Sequence, residues 1–270
     1  MRGKFGLAVF LLWVAQTGVG GVQAQQTATK TDGASDVSAR MAAHGTADAL
    51  PSVKELLAKS DAALGGRDAW MRSTSRRMKG LVQSEDSSAF VSIEILQKSP
   101  NKSLTKVTLP NGLAIREVCD GRAVWIEDVR GGYHELTGPA LAVRVKQADL
   151  LANMRAFDSA ASGKVTGIEK VGAHTVYVVE FSEKKNLVSR LYFDADSGLV
   201  VHTEDVFTTP EGLYTLKIDL DDYRDVDGLM FPFRIKRVEK GAVTNLKLTL
   251  VNVNPEIDDS VFLKPESAAK

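Results

Sequence analysis

Apolar residues recur along this chain with two periods, and the change from one to the other lays out the fold. Between Pro51 and Gly66, residues Val53, Leu56, Leu57, Ser60, Ala63 and Leu64 follow the three-and-four spacing of one helical face. Ser52 with Glu55 three residues later is a capping box, and Gly65-Gly66 is a helix stop. From Ser75 the period becomes two: Val91, Ile93 and Ile95 share one parity, with Ser92 and Glu94 opposite. The spacing predicts twelve strands, at 75–83, 88–97, 102–109, 113–120, 122–128, 164–171, 174–182, 187–194, 199–207, 213–222, 229–239 and 243–253. Tight-turn signals such as Asp120-Gly121, Asp227-Gly228 and Lys240-Gly241 separate them, so neighbours pair antiparallel. A meander of this kind forms one large curved sheet or barrel. Pro232 places its part of 229–239 at an edge or a bulge.

One segment breaks the alternation. Pro139 to Asp158 has helical spacing, with Pro139 suited to a first turn. It carries two apolar stripes on nearly opposite sides. Leu141, Val145, Ala148 and Ala152 form one; Val143, Leu150, Met154 and Phe157 form the other. A surface helix has one apolar face. Two faces mean cover on both sides, or two short helices with different orientations. With the N-terminal helix, this insert is the natural cover for the concave side of the sheet. If it fills the concavity, the interior is ordinary core; if it packs loosely, the space is an apolar cavity for a hydrophobic ligand.

The N-terminus adds a compartment. Arg2 and Lys4 precede an 11-residue apolar run from Phe5 to Ala15, and Val22-Gln23-Ala24 supplies small residues where a signal peptidase reads. The run is shorter than the about 20 residues of a membrane span. Residues 1–24 are therefore expected to be a cleaved signal peptide and 25–50, rich in Ala, Thr, Ser, Gln and Gly, a flexible linker. The folded domain is expected over 51–270, in the periplasm and not integral to a membrane.

Composition and charge narrow the chemistry. With 34 Lys+Arg against 34 Asp+Glu, nothing suggests a nucleic-acid partner. Removing the signal leaves 32 against 34, still close to neutral. One Cys excludes an intramolecular disulfide, and His134, His174 and His202 lack metal-ligand spacing. Cys119 shares parity with Leu113 and Ile115, which favours a buried, inert thiol; pairing between chains is the alternative. Asp194-Ala195-Asp196-Ser197-Gly198 reads as a hairpin turn in preference to a calcium loop. No nucleophile elbow, phosphate loop or dinucleotide fingerprint appears, so no catalytic residue and no cofactor is assigned.

Several stretches, in order, resemble the LolA-like periplasmic lipoprotein-carrier superfamily, the outer-membrane lipoprotein-sorting proteins. They are Ala63-Leu64-Gly65-Gly66-Arg67-Asp68-Ala69-Trp70, Cys119-Asp120-Gly121-Arg122-Ala123-Val124-Trp125, and Leu191-Tyr192-Phe193-Asp194 through Leu199. Asp222-Tyr223-Arg224-Asp225 through Pro232 and the tail Val261-Phe262 complete the series. The resemblance covers about 50–265. It implies a mainly β fold: an incomplete antiparallel barrel of about eleven strands, its open side covered by an N-terminal helix and a mid-chain helical insert. It also implies a cavity for acyl chains, with a lipid or acylated lipoprotein as ligand and inner- or outer-membrane envelope proteins as further partners. A monomer is expected. Phe90, Trp125, Leu151, Met154 and Phe157 are the candidate cavity residues, although Phe90 has the parity opposite to Val91, Ile93 and Ile95. Leu141, Val143, Val145 and Leu150 are the candidate lid. In the carriers an arginine near the first strands governs opening; no motif decides whether Arg76 or Arg77 matches it. The alternative is a non-catalytic envelope protein with a filled core that acts through protein partners.

Overall fold

The computed structural model describes residues 50–127, 132–184, 187–209 and 212–265. The predicted signal peptide and nearly all of the predicted linker lie outside them. Helix α1 spans Val53–Ala63. Its capping box forms as expected: the Glu55 amide donates to Ser52 Oγ at 3.2 Å, and the Ser52 amide donates to Glu55 Oε2 at 2.7 Å. Gly65, at φ +101°, stops the helix. A five-residue helix, α2 (Arg67–Met71), then carries Trp70 inward.

Among the described residues thirteen strands follow: β1 (Ser75–Ser84), β2 (Val91–Lys98), β3 (Lys102–Thr108), β4 (Ala114–Cys119), β5 (Val124–Glu127), β6 (Tyr133–Glu135), β7 (Lys164–Val171), β8 (His174–Lys184), β9 (Leu187–Asp194), β10 (Val200–Thr209), β11 (Gly212–Val226), β12 (Leu229–Glu239) and β13 (Ala242–Val253). All lie in one antiparallel sheet, in the order β6-β5-β4-β3-β2-β1-β13-β12-β11-β10-β9-β8-β7. The ends of the chain's β region thus pair in the middle of the sheet, β1 with β13, while its two edges are the strands that flank the helical insert. The result is a curved, incomplete barrel whose open gap falls between β6 and β7.

The periodicity predicts twelve of these strands. It misses β6, three residues with no alternation long enough to detect. Pro232 sits where the sheet tolerates it. The β12–β13 pairing begins only at Arg234, so at Pro232 strand β12 is paired with β11 alone and its missing N–H leaves no ladder bond unmade.

The insert is two helices, α3 (Gly138–Gln147) and α4 (Ala152–Ala160). Of the two readings of its double stripe, this is the second. Asp149 makes the break: its Oδ1 accepts from the Leu151 amide at 3.0 Å, and the Leu150 amide donates to the Pro100 carbonyl at 3.2 Å. Each helix therefore buries its own stripe. From α3, Leu141, Val145 and Ala148 pack on Cys119, Val124 and Ile126 of β4 and β5. From α4, Met154, Phe157 and Ala160 join the main core with Val179, Phe181, Leu191 and Phe193. Strand pairing puts these patches on one face: Arg76, Gln97, Ser103, Cys119 and Val124 are successive cross-strand partners. Ion pairs crowd the other face, where Arg190 bridges Glu180 and Glu204, and Arg77 meets Glu94.

Candidate functional site: the concave face beneath α3 and α4

The floor of the concavity is apolar. Trp70 stacks tilted on Phe231, with centroids 4.9 Å apart, and donates from Nε1 to the Leu64 carbonyl at 2.9 Å. Arg76 lies among these rings, its guanidinium carbon 5.8 Å from the Trp70 centroid and 5.7 Å from that of Phe231. It donates to Gln97 Oε1 through Nε at 3.1 Å and Nη2 at 2.6 Å. Burial pushes its pKa down to about 9. Arg77 points the opposite way, to Glu94. Of the two arginines that the resemblance leaves open, only Arg76 faces the interior.

The nine candidate residues separate sharply. Met154, 1% exposed, and Phe157 project from α4 into the floor, and the Phe157 ring lies 6.2 Å from that of Phe193. Leu151 is the half-buried N-cap residue of α4, whereas Leu150 before it is fully buried beside Pro100. Leu141 and Val145 cover β4 and β5. The side chain of Val143 lies outside those described. Two candidates do not line the concavity. Phe90, 55% exposed, precedes β2 at the β1–β2 connection, as its parity foretells. Trp125 lies on the outer face: it pairs with Val118 and Glu135, donates from Nε1 to Glu135 Oε2 at 3.1 Å, and has the parity opposite to Val124 and Ile126. It is nonetheless only 7% exposed.

The interior also holds polar groups that residue type alone assigns to the outside. Glu117 of β4 faces inward between Thr105 and Ile126. Its Oε2 lies 3.3 Å from Arg144 Nε of α3, close enough for ion pairing but without hydrogen-bond alignment. Burial raises the Glu117 pKa, and Arg144 opposes the rise. Burial likewise lowers the pKa of Arg144; Glu117 counters this, and Arg237 adds to it. Arg237, on the inward parity of Phe231, Phe233 and Ile235, pairs with Glu239. Deeper along the wall, Ser189 Oγ donates to Asp205 Oδ1 at 2.5 Å.

Elsewhere, His174 pairs with Asp194 at 2.8 Å and His202 with Asp219 at 2.6 Å. Among the described residues no group of three or more His, Cys, Asp or Glu is placed to hold a metal ion. The Asp194–Gly198 stretch is the expected hairpin turn, in which Asp194 Oδ1 accepts from the Ser197 amide at 2.7 Å. Cys119 is buried, and its thiol pKa is pushed up to about 11, chiefly by desolvation. That is the inert form. Among the described residues no helix is long and apolar enough to cross a membrane.

No family model and no curated protein matches the sequence. Solved structures do match. A LolA superfamily protein from Nitrosomonas europaea superposes with a TM-score of 0.52 at 15% identity, over 79% of this chain and 98% of that one. A DUF1329 family protein from Desulfovibrio piger gives 0.52 at 10% identity, over 78% and 97%. A putative outer membrane lipoprotein-sorting protein domain from Vibrio parahaemolyticus gives 0.50 at 11% identity, over 78% and 95%. At such identities the likeness concerns the backbone, and on that ground the chain has the fold of the LolA superfamily.

Proposed function

We propose that the protein is an exported, non-catalytic binding protein that takes the acyl chains of a lipid or lipoprotein into its concave face, with α4 as the displaceable plug. The observation that carries the reading is the placement of α4. This nine-residue helix belongs to the connection across the gap between the two edge strands, and it sets Met154 and Phe157 against the apolar floor. Expelling it would expose a continuous apolar surface, which an acyl chain re-covers at about 0.8 kcal/mol per CH₂. One structural neighbour, described as an outer membrane lipoprotein-sorting protein domain, is in keeping with the same class of ligand. The protein purified from its native host should release acyl-bearing material into organic solvent, and the stripped protein should take up a fluorescent fatty acid. Failure of both would end the reading. Export predicts a mature chain beginning at Gln25, so an intact mass that retains 1–24 would contradict it.

A second reading has its own observation. The same residues, Met154 and Ala160 included, are withdrawn from solvent, as in an ordinary core. A closed, filled barrel suits an envelope protein that works through protein partners. It predicts no uptake of fatty acid and a co-purifying envelope protein.

A further inference from the structure

We infer that the end of the barrel away from α1 is a docking rim, which inserts Phe90, Leu113 and Leu213 into the surface of a phospholipid bilayer. The choice of a bilayer rests on the acyl-binding reading, because acyl-bearing ligands reside there; the rim itself rests on the topology. An antiparallel meander sends its turns alternately to two ends. One end holds the β2–β3, β9–β10 and β11–β12 turns, and helical segments dock on each. The Leu150 amide, between α3 and α4, donates to the Pro100 carbonyl at 3.2 Å. Lys59 of α1 donates to the Ala195 carbonyl at 2.6 Å, and the Leu64 carbonyl accepts from the Met230 amide at 3.1 Å. The opposite end carries the connections 85–90, 109–113, 128–132, 185–186, 210–211 and 240–241. Three large apolar side chains stand out into solvent there: Phe90 at 55% exposure, Leu113 at 48% and Leu213 at 74%. Leu213 sits on a projecting arm. Pairing of β10 with β9 stops at Phe207, and pairing of β11 with β12 stops at Leu216. The β10–β11 ladder runs on through Thr208–Leu213 to Thr209–Gly212, so this hairpin outruns its neighbours on both sides.

Two features favour a bilayer over a protein partner. The first is spacing. Leu113, Phe90 and Leu213 lie at the ends of β4, β2 and β11, and β4 and β11 are six strand steps apart, about 29 Å along a flat sheet. Side chains so spread over separate hairpins form no single groove, whereas a flat, fluid surface meets all of them. The second is charge. The six connections hold four acids, Glu85, Asp86, Asp128 and Glu211, against three bases, Arg130, Lys185 and Lys240. That mixture is no basic patch for anionic lipid. Docking is therefore by insertion of apolar side chains, and its strength follows the apolar area withdrawn from water.

The test floats the protein purified from its native host with phosphatidylcholine vesicles at millimolar lipid. The protein should rise with the vesicles, and neither added phosphatidylglycerol nor high salt should change the partitioning more than about twofold, since the contact is apolar. Leu213→Ser and Phe90→Ser should each weaken it about tenfold, the low end of what burial of one large apolar side chain is worth. Met71→Ser is the control: Met71 is 53% exposed but belongs to α2 at the other end, and its loss should leave partitioning unchanged. No flotation of the unaltered protein would overturn the rim. So would equal losses from Met71→Ser and Leu213→Ser, or binding that needs phosphatidylglycerol and vanishes in salt. Uptake of cis-parinaric acid from solution, without vesicles, is read on the same samples and should survive Leu213→Ser. Uptake without flotation ends the rim and leaves the acyl-binding reading standing; flotation that depends on Leu213 without uptake does the reverse.

Discussion

Replacing Gly65 with alanine should destabilise the fold by about 3 kcal/mol, from left-handed strain together with overpacking against fixed backbone. Gly65 and Gly66 both have positive φ, +101° and +91°. They differ in surroundings. A Cβ on Gly65 would stand 2.0 Å from the Gly228 carbonyl oxygen, whereas one on Gly66 would meet nothing within 4 Å. The close approach exists because the Met230 amide donates to the Leu64 carbonyl at 3.1 Å, docking the end of α1 on the β11–β12 turn. The same carbonyl accepts from Trp70. Gly66→Ala should therefore cost only the conformational part, about 1–3 kcal/mol. Urea unfolding gives both values from the shift in midpoint at constant slope. Equal losses at the two positions would show that the docking contributes little.

That contact also explains why two separated stretches, Leu64-Gly65-Gly66 and Asp227-Gly228-Leu229, could signal a fold from sequence. They are the two halves of one packing contact, and each constrains the residue types of the other. The strands were legible for a simpler reason: one face of each is buried, so alternation reports it directly. The site was harder to read. Trp125 looked like a cavity residue because it is large and aromatic, but its parity already opposed Val124 and Ile126, and parity decides the face of a strand. The inward charges carried the same signal in reverse. Glu117 shares its parity with Ile115 and Cys119, and Arg237 with Phe233 and Ile235. Reading a charge as outward by type overlooks that Glu117 and Arg144 lie on different elements and become partners only when α3 folds over the sheet. No local pattern encodes that meeting. The division of the insert was ambiguous for a similar reason: two opposed stripes fit either cover on both sides or a break, and the break depends on the Pro100 carbonyl, some fifty residues away.

Phe157→Ala separates a displaceable plug from a fixed core by moving stability and affinity in opposite directions. Loss of the buried ring should cost about 3–5 kcal/mol of folding stability on either reading, because it leaves a cavity against Phe193. The readings part on ligand binding. If α4 must leave for an acyl chain to enter, the unliganded protein is held closed by the contacts of Met154 and Phe157, and the ligand has to overcome them. Weakening the closed state raises the population competent to bind, and affinity improves about tenfold for each 1.4 kcal/mol removed from it. Phe157→Ala should then bind oleate at least about tenfold tighter while melting at a lower temperature. Phe193→Ala is the necessary contrast. Phe193 belongs to the wall, buried in β9, and an entering chain would pack against it. Its truncation should lower stability and affinity together. If Phe157→Ala also loses affinity, α4 is part of the wall and the ligand enters elsewhere; if neither variant binds because the unaltered protein does not, the barrel is a filled core and its work is done at the surface.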